Sequence, residues 1–172
     1  MSYSQIGNKQ QAIQDFYKIL KLEQRKDMLF FIRGKLNSDL GKLPEAIEQY
    51  SHAIELNKTK YDFYNNRANT YFRLKNFQAA IDDFKKVLRL KPDYDYAFNA
   101  LGTIYGNLQN HQEALLWFQR AVNSNQKNTE ALINLGFAKQ NTNDLKGACD
   151  CWHNAYSFGN IKAKNILDKY CK

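Results

Sequence analysis

The sequence predicts an all-α protein, a solenoid of antiparallel helix pairs, and three observations predict it. Phe16, Tyr50, Phe84, Phe118 and Trp152 stand 34 residues apart. An alanine stands four residues before each, at Ala12, Ala46, Ala80, Ala114 and Ala148. The position after that alanine reads Ile13, Ile47, Ile81, Leu115 and Cys149. Three columns in phase through five copies make a fixed period, and a period of this length marks stacked supersecondary units.

Composition agrees. Apolar side chains are 44% of the 172 residues and charged ones 24%, which is ordinary for a globular chain. Two prolines and eight glycines are too few for many strands joined by tight turns. No apolar run reaches the length of a membrane span. The opening Met1-Ser2-Tyr3-Ser4-Gln5 lacks the basic and apolar regions of a signal peptide, so a cytoplasmic protein is expected.

Residues 1–26 read as a half repeat. Tyr3 and Ile6 close one helix, and Ile13, Phe16, Ile19 and Leu20 share one face of the next. Residues 27–60 form the first full repeat, with Phe30, Gly34 and Asn37 on its first helix. Gly41 stands where a helix ends left-handed, and Pro44 where the next starts without needing its amide. Residues 61–94, 95–128 and 129–162 repeat the plan. Pro92 ends a helix, and Asp93 and Asn128 are candidate caps for the helices that follow. Residues 160–172 carry Ala163, Ile166, Leu167, Tyr170 and Cys171 on one face and lysines on the rest, as a capping helix requires.

Each helix has one apolar stripe. A single pair cannot hide both stripes from water, and stacking pairs does. The small column Gly34, Ala68, Gly102 and Gly136 marks the closest helix approach, and the aromatic column fills the space beside it.

These residues resemble the tetratricopeptide repeat. Residues 95–128 carry its pattern through Phe98, Leu101-Gly102, Tyr105, Ala114, Phe118 and Ala121. Residues 61–94 carry it through Tyr64, Ala68, Tyr71, Ala80, Phe84 and Pro92. The resemblance implies a right-handed superhelix forming one domain over 1–172. Lys75, Gln109 and Asn143 replace the turn glycine, Lys139 the tyrosine, and Arg33 and Arg67 the leucine, which leaves the turn geometry open.

No catalytic constellation appears, so an enzyme is not expected. His52, His111 and His153 have no ligand partner at metal spacing, and Asp82-Asp83 reads as a solvated face. No phosphate loop or nucleophile motif is present. No metal or cofactor is expected. Cys149, Cys151 and Cys171 form no pair of Cys-x-x-Cys units. Cys149 is expected in the core near Cys171, able to bridge to it in an oxidising compartment and reduced in the cytosol, with Cys151 pointing elsewhere.

The informative feature is a second stripe on each first helix, one residue after the buried stripe and about 100° round. It reads Phe31, Lys35, Ser38 and Asp39, then Asn65, Asn69, Phe72 and Arg73. Tyr96, Asn99, Thr103, Gly106 and Asn107 follow, then Ile133, Phe137, Gln140 and Asn141. The resemblance places this stripe on a concave groove. Asparagine both donates and accepts, so it can bond an extended peptide backbone. The candidate groove is therefore Phe31, Lys35, Asn65, Asn69, Phe72, Arg73, Tyr96, Asn99, Thr103, Asn107, Phe137 and Asn141, its ligand a partner protein or peptide. The clamp that holds chaperone tails in some family members needs lysines and an arginine. Asn65, Ala100 and Glu130 do not match it.

The net charge of +8 motivates a second reading, a nucleic-acid binder with Lys75, Lys85, Lys86, Arg89 and Lys91 as its footprint. Asp82, Asp83 and Asp93 dilute that footprint, so nucleic acid is the minor expectation. The apolar edge of the half repeat, at Ile13 and Phe16, leads us to expect that the chain continues upstream in a longer protein, with end-to-end stacking of two copies or fraying of the first helix as the alternatives; in isolation a weak homodimer through the N-terminal edge is expected.

Overall fold

The computed structural model of the protein describes residues 26–171. The half repeat with Ile13 and Phe16, and the self-association expected through it, lies outside the described residues. Among those described, nine helices and no strand occur. They are α1 Lys26–Asp39, α2 Leu43–Leu56, α3 Tyr61–Arg73, α4 Phe77–Leu90, α5 Asp95–Asn107, α6 His111–Ser124, α7 Thr129–Asn141, α8 Leu145–Ser157 and α9 Ile161–Tyr170. These helices divide between two compact units, over 26–74 and 75–171. In the first, α2 packs along α1, and α3 packs on α2 and touches α1. In the second, each helix packs on its successor from α4 to α9, and α5 also touches α7.

The 34-residue columns form the core. Tyr50, Phe84, Phe118 and Trp152 are buried, as are Ala46, Ala80, Ala114 and Ala148. The small column explains itself. A Cβ at Gly34 would come within 2.6 Å of the Tyr50 ring, and one at Gly102 within 2.6 Å of the Phe118 ring. Gly136 lies against Trp152 in the same way. At these three glycines a ring on the second helix thus covers bare backbone of the first, close enough that an added Cβ would push it aside.

First helices bury a wider face than one stripe predicts. Phe63, Ala97 and Ala131 form a further buried column, and Thr70, Ile104 and Ala138 another. The reason is topological. A first helix inside the stack is covered from two sides, as α7 is by α6 and α8.

The replaced turn glycines do not change the turns. Gly41 has φ +78°, and Lys75, Gln109 and Asn143 keep the left-handed region at φ 58°, 59° and 65°. At Gln109 the amide of Asn110 reaches Tyr105 O (2.9 Å) and that of Gln109 reaches Gly106 O (3.0 Å). The same two bonds recur at Gly41 and Asn143. This pair of bonds is the Schellman closure, and it holds a non-glycine residue in place against the left-handed cost.

Capping follows the sequence at Asn128, whose side chain accepts from Ala131 N at 3.0 Å. Asp93 does not cap. Tyr94 holds the N-cap of α5 without a side-chain bond, and Asp93 gives its carbonyl to Ser124 Oγ instead. A polar clip closes two of the repeats: Asn57 Nδ2 donates to Asp27 (3.1 Å), and two periods later Asn125 Nδ2 donates to Asp95 (2.9 Å).

The last described helix, α9, is pinned twice. Tyr170 packs on Trp152 with ring centroids 5.6 Å apart. A disulfide joins Cys149 to Cys171 across α8 and α9. Cys149 is only half-buried, because it faces α9. Cys151, expected to point away, lies in the core with Phe118, Leu135 and Ala138. Since α8 is covered by both α7 and α9, two of its faces are inside. Burial pushes the Cys151 thiol up, away from thiolate chemistry.

Two departures from the family pattern find partners. Lys139, in place of tyrosine, donates to Asp144 at 2.8 Å. That bond raises the lysine and lowers the carboxyl, which also caps α8 through Gly147 N. Arg67, in place of leucine, donates to Ser51 Oγ at 2.9 Å and lies over Tyr64 and Tyr71. The pair Asp82-Asp83 is not one solvated face. Asp82 is exposed, but Asp83 is 6% exposed, because it directly precedes the buried aromatic column.

Candidate partner-binding groove

The stripe begins on α1 and α3 in the first unit. Phe31 is half-buried between Tyr50 and Phe63, at centroid distances of 5.9 and 4.9 Å, with the Lys35 ammonium over its ring. Asn69 donates to Asn65 O at 2.9 Å, within its own helix. The side-chain oxygen of Asn65 is shut from solvent and has no hydrogen-bond partner among the described residues. Phe72 is half-buried, and Arg73 is exposed and donates to Ser38 O (3.0 Å) and Ser38 Oγ (2.7 Å). The neighbouring Tyr50 phenol is pushed far above its ordinary value, by burial first and by Asp39 second.

The second unit carries a cleft between α5 and α7, about 290 Å³ in volume. Thr103, Gly106 and Asn107 of α5 form one wall and Asn134, Phe137, Ala138 and Asn141 of α7 the other. Ala114 and Phe118 of α6 lie at its floor and His111 at its edge. Of the expected residues, this cleft gathers Thr103, Asn107, Phe137 and Asn141. Tyr96 stands apart from it, 44% exposed, with its ring tilted against that of Tyr94 at a centroid distance of 5.8 Å.

Asn99 is not where the stripe predicts. It is 9% exposed, and its Oδ1 accepts from Asn134 Nδ2 at 3.0 Å. It supports the groove wall from beneath. Two polar lining residues lay outside the sequence reading of the groove, and Gly106, which the stripe includes, was not among its candidate contacts. Asn134 lies one residue beyond the stripe, and His111 belongs to a second helix. Gly106 has no side chain to advertise it. Phe137 does double work, since its ring also packs against Trp152 (5.2 Å) and Tyr170 (6.5 Å).

Lys85 and Arg89 are exposed on α4 beside exposed Asp82, and Lys91 sits 4.5 Å above the Tyr94 ring. Among the described residues, no group of three His, Cys, Asp or Glu side chains can hold a metal ion. No described helix is long and apolar enough to cross a membrane.

Comparison with known proteins agrees with this geometry. Sequence patterns described as tetratricopeptide repeat match residues 61–94 and 96–128, and one described as TPR repeat matches 34–75. No curated protein matches the chain. A crystal structure of MamA superposes with a TM-score of 0.79 at 23% identity, covering 95% of this chain and 98% of that one. MamA 41-end from Desulfovibrio magneticus RS-1 gives 0.76 at 16% identity, covering 88% and 86%. The first TPR of Spaghetti (RPAP3), bound to HSP90 peptide SRMEEVD, gives 0.66 at 27% identity, covering 72% and 98%. MamA is similar in fold alone.

Proposed function

This chain belongs to the tetratricopeptide repeat family, and we propose that it is a protein-interaction scaffold, not a catalyst, which holds an extended segment of a partner along the first helices of its repeats. The observation that carries this is the chemistry of the stripe. An exposed helix face ordinarily carries Lys and Glu. In the second unit the wall of the cleft is instead Thr103, Asn107, Asn134 and Asn141 over an apolar floor. Such side chains bond a backbone without selecting its charges. Asn65, Asn69, Phe72 and Arg73, with Phe31 and Lys35, are the contacts we assign in the first unit. A few neutral hydrogen bonds at about 0.5–1.5 kcal/mol each, with ring contacts, bring the affinity to roughly micromolar.

The test is a binding measurement with a partner peptide selected from a displayed library on the full chain. The double variant Asn69→Ala, Asn107→Ala should weaken its binding by about tenfold or more with an unchanged circular dichroism spectrum. Undiminished binding would sink the reading. A parallel titration with duplex and single-stranded nucleic acid against salt should find no steeply salt-dependent binding, which phosphate contacts would produce.

A further inference from the structure

Three glycines inside helices are explained by the ring that covers them, at Gly34, Gly102 and Gly136. Gly106 is not. It sits inside α5, one turn beyond Gly102, and a Cβ built on it meets no atom within 4 Å. Glycine in a helix interior costs stability relative to alanine, because its backbone loses more freedom on folding. No contact among the described residues offsets that cost. The empty space above Gly106 is the cleft itself.

The cleft has a definite chemistry. None of its lining residues is Asp, Glu, Lys or Arg. Asn107 gives an amide N–H to Thr103 O (2.8 Å) and Asn134 gives one to Asn99. Both keep their side-chain carbonyl oxygens for another donor. The floor, at Ala114, Phe118 and Ala138, is apolar and buried. An ionised side chain entering here would shed water and meet no counter-charge. The volume, about 290 Å³, lies at the low end for ligand sites and suits a side chain with its adjoining backbone.

We infer that the bare turn at Gly106 is the seat of the partner's main chain, and that the cleft takes one uncharged apolar side chain, of leucine or methionine size, from an extended uncharged segment. The inference rests on the groove reading and narrows it to one kind of occupant. The backbone crosses α5 where no Cβ holds it off. Its amides donate to Asn107 and Asn134, and the side chain points to Phe118.

The experiment uses the full chain and a displayed library of unstructured random peptides, with the selected sequences synthesised as probes. Selected peptides should share an apolar residue flanked by uncharged ones. Their Kd should change by no more than about twofold when ionic strength is raised several-fold, since the selected segment is uncharged and no Asp, Glu, Lys or Arg lines the cleft to pair with it. Gly106→Leu should weaken binding by at least about tenfold while remaining fully helical, because leucine is a good helix former at an open site. Gly106→Ala should weaken binding less and raise the thermal midpoint by about 2–4 °C. Charged consensus peptides with steep salt dependence would overturn the inference, as would undiminished binding to Gly106→Leu. If Asn69→Ala, Asn107→Ala abolishes binding and Gly106→Leu does not, the groove reading stands and the seat at Gly106 falls. Insensitivity to both sets of changes overturns both.

Discussion

Gly102 and Gly106 stand one turn apart on the same helix, and their surroundings differ completely. Above Gly102 lies the Phe118 ring, so close that a single added carbon would overlap it. Above Gly106 there is open space. The first glycine belongs to a column that recurs every 34 residues and serves the packing of one helix on another. The second recurs nowhere: its column reads Ser38, Phe72, Gly106 and Gln140. One helix therefore carries two faces under different constraints. The face toward α6 is fixed by geometry that every repeat shares. The face toward the cleft is free to vary without loosening the stack, and a free face is where a binding protein can differ from its relatives.

That contrast can be broken most severely at the ring. Phe118→Ala removes the cover from Gly102 and leaves a hole in the core, and should cost about 3–5 kcal/mol in a denaturant titration. A loss under about 1 kcal/mol would mean that the ring is not what holds α5 to α6. Next in size is Gly102→Ala. Overpacking against Phe118 should cost about 1–3 kcal/mol and exceed the gain in helix propensity. The same substitution at Gly106 is stabilising, so the two variants should move the unfolding midpoint in opposite directions. Equal signs would erase the distinction between the faces. The smallest effect is expected at the turn that ends α5. Gln109 holds φ +59°, and Gln109→Gly should stabilise by about 1 kcal/mol by relieving the left-handed penalty. A destabilised Gln109→Gly would show that the side chain contributes more than the backbone strain removes.

The same contrast explains what could be read in advance. The ring and alanine columns, the small column and the turn at Gly41 were visible because they repeat in sequence, whereas the further buried columns at Phe63 and Thr70 repeat as well and were missed. Periodicity reports the contacts that every copy makes. The stripe does not repeat, so its residues had to be placed by rotation alone, and rotation placed Asn99 on the open face. It is buried because Asn134, 35 residues later, reaches it from α7. Asn65 occupies the same column and has no such partner. The turns misled in the opposite direction. Lys75, Gln109 and Asn143 look like lost glycines in the sequence, yet a six-to-one and a five-to-two hydrogen bond fix the shape at Gln109 and Asn143 whatever the side chain. Cys151 was misplaced because one period describes one packed face, and α8 has two.

The bridge between Cys149 and Cys171 gives the second unit a direction. In a stack of repeats each element is held only by its neighbours, so melting begins at an unsupported terminus and advances inward one element at a time. A helix held by one neighbour alone can detach from it alone. Here α9 cannot leave the molecule without drawing on α8, whose Trp152 is the ring that closes the last pair. When its own packing fails, α9 therefore stays tethered beside α8, and the closed loop leaves it little room to wander before it docks again.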